Sequence, residues 1–156
     1  MSLYDISVFV HVSAVVVGFG ATFAEAIMFP VAMKAGVRHL PFVHQLQLAI
    51  NQRMANPALG LIILTGIYQT IEGDWGFGSF WISATFAIAI VLGGMNGAYF
   101  VPTDRRLAVQ AQREIDETGN VSDEYQREAR REGIVGAVAG LLVIAAVFLM
   151  VTKPGA

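Results

Sequence analysis

The sequence predicts an all-α protein: a four-transmembrane-helix bundle whose third and fourth spans extend into a cytoplasmic helical hairpin. Three observations predict it. Of the 156 residues 55% are hydrophobic and only 14% charged, against about 25% charged in a soluble domain, so the chain is too apolar to stand free in water. Four apolar segments approach or exceed the ~20 residues a bilayer-crossing helix needs. The basic residues fall almost wholly in the two longer connections between those segments. A single membrane domain over 1–156 follows, with spans at about 6–30, 54–71, 80–101 and 134–151 and cytoplasmic segments 34–53 and 102–133.

The first span, ISVFVHVSAVVVGFGATFAEAIMF, ends at Pro30 and the polar turn around Lys34 and Gly36, and Pro30 is placed to kink its last turn. No basic n-region or small-residue cleavage site accompanies it, so it is expected to be retained rather than removed as a signal peptide. From Leu40 a connector helix is expected, with Pro41 at its start and Phe42, Leu46 and Ile50 as its apolar stripe. Asn56-Pro57 should interrupt it, because a residue before proline is pushed out of the helical region. PALGLIILTGIYQTI is the second span and EGDWGFGS the turn, with Trp75 and Trp81 at an interface.

Phe80 to Val101 is the third span, and Pro102 marks its exit. The polar stretch from Thr103 to Gly133 is rich in helix formers and pairs opposite charges four apart, as in Arg113 and Glu117. Thr118-Gly119-Asn120 supplies its turn and Ser122 an N-cap, so a solvated helical hairpin is expected. The fourth span, Ile134 to Val151, has no strongly polar side chain. Gly93 with Gly97 and Gly136 with Gly140 let neighbouring backbones approach closely, which suits packing and homo-oligomer formation in the lipid bilayer.

Charge placement sets the expected orientation. Lys34, Arg38 and Arg53 lie between spans one and two, and Arg105, Arg106, Arg113, Arg127, Arg130 and Arg131 between spans three and four. Both loops are therefore expected in the cytoplasm, and the N- and C-termini outside, in a multi-pass protein of the cell membrane. A net charge of −2 offers no basic field for nucleic acid. The absence of cysteine removes disulfides, thiolate metal sites and iron-sulfur clusters, and no phosphate loop or nucleophile-base pair is evident.

Ionisable residues inside a span are costly and mark functional sites by default. His11 and Glu25 share one face of the first span, fourteen positions and roughly 21 Å apart. At the depth of His11 lie Thr65, Tyr68 and Gln69 on span two and Ser83 and Thr85 on span three, an outer polar layer. Near Glu25 lie Asn56 and Asn96, with Arg53 as its charge partner, an inner layer; Thr22 sits between, on the same face as both ends. His39 and His44, on the connector, read as surface residues.

With these residues laid out, the chain resembles the small four-helix membrane proteins grouped around the copper-resistance protein CopD and the protoporphyrinogen oxidase HemJ. HVSAVVVGFGATF in span one, NPALGLIILTGIY opening span two, GGMNG closing span three and the charged segment before span four carry the resemblance. HemJ-like proteins are implicated in haem binding through a first-span histidine and a span-three lysine. The resemblance implies haem b at His11, and span three here has no lysine. The methionines show no paired spacing for a copper relay. Three functions stay open: a haem or porphyrin-binding redox protein using His11 with Gln69 or Tyr68 orienting the ring; a small transporter or proton-linked permeation subunit using Glu25 and His11; and a structural or assembly subunit without catalytic activity.

Overall fold

The computed structural model describes residues 1–155, all helix and turn with no strand among them. Helix α1 spans Leu3–Ala35. Ser2 caps it: its hydroxyl accepts the Asp5 N–H at 3.1 Å while the Asp5 carboxylate accepts the Ser2 N–H at 2.8 Å, a reciprocal box that satisfies two end donors. Pro30 does not end this helix, which runs another turn to Gly36 at φ 122. A short 3₁₀ turn, Val37–His39, leads into α2, Leu40–Ile50, and α3 is Asn56–Glu72. After the Glu72–Ser79 turn come α4, Phe80–Met95, and α5, Val101–Thr118. The last helix is α6, Asp123–Thr152.

One expected break is absent. Asn56-Pro57 was expected to interrupt the chain before span two, yet helix continues over Val37–Glu72; at Pro102, the expected exit of span three, helix runs on into the hairpin as expected, over Phe80–Thr118. The cause is the same at each place. A proline removes an N–H and its ring presses on the carbonyl four residues back. Here the preceding turn is a wide π turn, Asn51–Ala55 before Pro57 and Asn96–Phe100 before Pro102, which absorbs the misfit without ending the helix. The two π turns are also tied together: the Asn96 amide donates to Asn51 Oδ1 and to Asn56 Oδ1, both at 3.0 Å.

In the bundle α1 packs along α3 and α4 along α6, while α3 meets α4 and α1 meets α6, closing a ring. Small residues make this possible: Ala14, Ala21, Ala58, Ala89, Ala139 and Ala146 are buried between helices. Three of the four packing glycines meet side chains of this chain, Gly93 facing Leu59, Gly136 Phe100 and Gly140 Phe23, while Gly97 faces open space. Phe9, Val16, Ile27, Leu64, Ile90, Leu141 and Phe148 point outward. An apolar exterior over an alanine-rich interior is what lipid as solvent favours, and four helices are long and apolar enough to cross a membrane.

The hairpin is not simply solvated. Leu107 and Ala111 of α5, Val121, and Tyr125 and Ala129 of α6 pack with Leu40 and Val43 of α2 and Ala32 of α1 into a second core, a cap on the basic end of the bundle. Gly119 turns the chain at φ 72, and the Ser122 hydroxyl accepts the Tyr125 N–H at 3.2 Å to start α6. The Arg113–Glu117 pair does not form; the exposed ion pair is Arg106 with Glu128, 2.7 Å apart across the hairpin and worth little in water.

Candidate functional site

The connector helix buries a different face from the expected one. Phe42, the first residue of the expected stripe, is 64% exposed, whereas Leu40, Val43 and His44 are buried against α5 and α6. His44 was expected at the surface and is instead wholly enclosed. Its Nδ1 lies 2.9 Å from Asp104 Oδ1 and its Nε2 2.7 Å from the Tyr125 hydroxyl. A carboxylate can only accept from Nδ1–H, which leaves Nε2 to accept from the tyrosine. Phe29 closes over both rings, 6.2 Å from His44 and 6.5 Å from Tyr125.

Glu132 completes the group. One nitrogen of His44 and one carboxylate oxygen each of Asp104 and Glu132 lie within 4.8 Å of one another, and all three residues are buried. They stand beyond the expected limits of spans three and four. Burial holds the Asp104 carboxyl above its ordinary range, against the pull of the His44 hydrogen bond. The Glu132 carboxyl is pushed up to about 8, first by burial and then by repulsion from Asp104 and Glu25. Burial and the same kind of negative neighbours also raise the Tyr125 phenol. Sequence reasoning missed this cluster. Its members are 60 and 81 positions from His44, so no local spacing could announce them.

Asp104 and Glu132 open onto a chamber of about 610 Å³ that enters the bundle between α1, α3, α4 and α6 and is also lined by Glu25, Gln47, Asn51 and Asn96. Four buried oxygens there have no hydrogen-bond partner: Glu25 Oε1, Gln47 Oε1, Asn96 Oδ1 and Glu132 Oε1. All four are acceptors, so the chamber lacks donors or positive charge rather than polarity. Arg53, the expected partner of Glu25, is exposed and makes no ion pair with it, because it lies on the outward side of the π turn. Asn96 and Asn56 are joined as described, while the Thr22 hydroxyl is spent on Gly18 O of its own helix at 3.1 Å.

Towards the end of the bundle that carries the termini lies a second chamber, about 280 Å³, lined by His11, Gln69, Thr85, Met150 and Lys153 among others. His11 Nδ1 is 2.8 Å from Thr65 Oγ1, and that hydroxyl donates to Leu61 O. Thr65 therefore accepts from His11 Nδ1–H, and Nε2 keeps a lone pair. The expected partners are engaged elsewhere. Gln69 donates to Ser7 O and Oγ, both at 3.1 Å, Thr85 donates to Trp81 O at 2.7 Å, and Tyr68 is half-buried outside the chamber lining. The imidazole has the tautomer of a haem ligand. The space does not match: small-ligand pockets run to about 300–1,000 Å³, and a haem is larger than most such ligands.

Phe19, Leu59, Ile62 and Leu92 line both chambers. They form an apolar septum in mid-bundle between the acidic chamber and the one holding His11. Close helix approach seats it: a Cβ on Gly93 would stand 3.2 Å from Leu59 Cδ2, and one on Gly18 3.0 Å from the Ala58 Cβ.

No curated protein and no solved structure matches the chain. One family model, described as a predicted integral membrane protein (DUF2269), matches residues 5–154, nearly the whole length. A family defined over the four spans and the cap together, with no activity attached to it, is the one to which this chain belongs: DUF2269, an integral membrane protein family.

Proposed function

We propose that the protein is a small permeation or transport subunit for protons or another small cation, with the basic end in the cytoplasm as the distribution of Lys and Arg suggests. One observation carries the reading: two largely apolar chambers, each holding a few titratable or amide side chains, lie end to end and share a four-residue apolar septum. Such a constriction stays dry, and so closed, until its side chains part. Glu25 is an unpaired acidic acceptor of the inner chamber, and His11 is the imidazole of the outer one, which Tyr4 and Lys153 also line. A cation entering from the basic end meets the unpaired oxygens of Glu25 and Asn96 before the septum. Proton flux into liposomes tests it. Losing a charged hydrogen-bonding acceptor is worth about 1.5–3 kcal/mol, so Glu25→Gln should lower flux by about tenfold or more, and Leu59→Ala should leak. Equal flux through wild type and Glu25→Gln would remove the reading.

A second reading, haem held at His11, has one observation in its favour, the free Nε2, and is supported by the resemblance to CopD/HemJ-like proteins. The size of the outer chamber speaks against it. Protein purified from haem-replete cells should show no Soret band, before or after reconstitution. A band that disappears in His11→Ala would put this reading first.

A further inference from the structure

We propose that His44, Asp104 and Glu132 form a binding site for one divalent cation at the basic mouth of the inner chamber. The ligand atoms come from three helices, α2, α5 and α6, and already lie within 4.8 Å of one another. Atoms bound tetrahedrally to one ion at about 2.0–2.2 Å stand about 3.3–3.6 Å apart, so side-chain movements of about 1 Å close the set. Binding at Nδ1 takes the other tautomer of His44: the Nδ1 proton leaves, Nε2 becomes protonated and donates to the Tyr125 hydroxyl, and the hydrogen bond to Asp104 gives way to a coordinate bond.

An acidic cluster alone would not justify this, but Glu132 adds a separate sign. The residue is 8% exposed, lines the chamber, and has Oε1 buried with no partner. A buried carboxylate that is neither paired nor hydrogen-bonded is a costly thing to keep. Beyond His44, which is bonded to Asp104, no buried base answers the charge. Arg106 is paired with Glu128 on the surface, and Arg130, which borders the chamber, is exposed. Three carboxyl groups, Glu25, Asp104 and Glu132, thus share one enclosure in which His44 reaches only Asp104 among them. A divalent ion would let Asp104 and Glu132 both act there as carboxylates.

The donor set selects among ions. One imidazole with two carboxylates suits a borderline or moderately hard cation such as Zn²⁺, Mn²⁺ or Fe²⁺. A calcium site asks for six to eight oxygens, which three residues do not supply, and with no cysteine the soft thiolate sites are out of reach. The Tyr125 hydroxyl fixes the His44 ring from outside the set. The site goes beyond the permeation reading and does not rest on it, since an ion can be held here whether or not anything crosses the septum.

The test is equilibrium dialysis of the purified, metal-stripped full chain in detergent against Mn²⁺ and Zn²⁺, read by elemental analysis. Electron paramagnetic resonance on the Mn²⁺ form gives a second readout. One ion per chain is expected, with a nitrogen coupling that persists in His39→Gln, which removes a surface imidazole. Glu132→Gln keeps the shape and loses the ligand, so its affinity should fall by about tenfold or more. Tyr125→Phe should still bind. Less than stoichiometric uptake of both ions by wild type, or unchanged affinity in a folded Glu132→Gln, would overturn the proposal. Binding without flux would remove only the permeation reading, and flux without binding only this one.

Discussion

Replacing His44 by alanine is expected to unfold the cap while the four spans stay helical. His44 is fully buried, and its two ring nitrogens are the partners of Asp104, 2% exposed, and of the Tyr125 hydroxyl. Alanine leaves a buried carboxylate with no donor and a buried phenol with no acceptor. Breaking a buried pair from one side typically costs about 3–5 kcal/mol, and the vacated ring adds a cavity beneath Phe29. That is comparable with the whole stability of a small domain. Because α2 packs chiefly on α5, the loss should be local to the cap. Hydrogen exchange checks it: amides of 40–50 and 101–130 should lose protection in His44→Ala, while those of 58–70 and 82–94 keep it. Unchanged protection in the cap would mean that its apolar core, Leu40, Leu107, Ala111 and Tyr125, holds it without the polar group.

The second large effect is expected at Gly18. A Cβ there would lie 3.0 Å from the Cβ of Ala58, an atom fixed to its backbone and 4% exposed, so nothing flexible can retreat. Gly18→Leu must push α1 away from α3. Overpacking of this kind costs typically about 1–3 kcal/mol and occasionally more. The septum residues Phe19 and Leu59 follow directly after Gly18 and Ala58, so separation of the helices also thins the barrier between the chambers. A lower melting temperature together with increased proton leak is the expected pair of readings. Ala58→Gly should recover most of the loss caused by the milder Gly18→Ala, as coupled neighbours do in a double-mutant cycle. Additive losses would show that the two positions do not press on each other.

Much of the fold was legible in the sequence for physical reasons. Long apolar runs between polar turns admit few structures in lipid, and the Gly119 turn and Ser122 cap are local chemistry that spacing alone reveals. The rest depends on contacts between distant residues. The proline rule predicts a break at Pro57, and it loses to a wide turn held by an asparagine tie between two helices. On α2 the helical period was present, but the buried positions Leu40, Pro41, Val43 and His44 include a proline and a histidine, so the apolar Phe42 stripe outweighed them. His11 and Glu25 could be placed at different depths from their separation. The partners of His44 could not, because Asp104 and Tyr125 arrive from other helices.

The two π turns also govern the walls of the inner chamber. Gln47, Asn51, Ala55 and Leu59 line it from one side, each four residues after the last. Leu92, Asn96, Phe100 and Asp104 do so from another, with the same interval. In an uninterrupted α-helix every fourth residue drifts by about 40° around the axis, so a column of four would wander off the wall. Underwinding at 51–55 and 96–100 cancels part of that drift and keeps each column in phase. A continuous lining from the septum to Asp104 therefore depends on two local faults in helical pitch, one in each long helix.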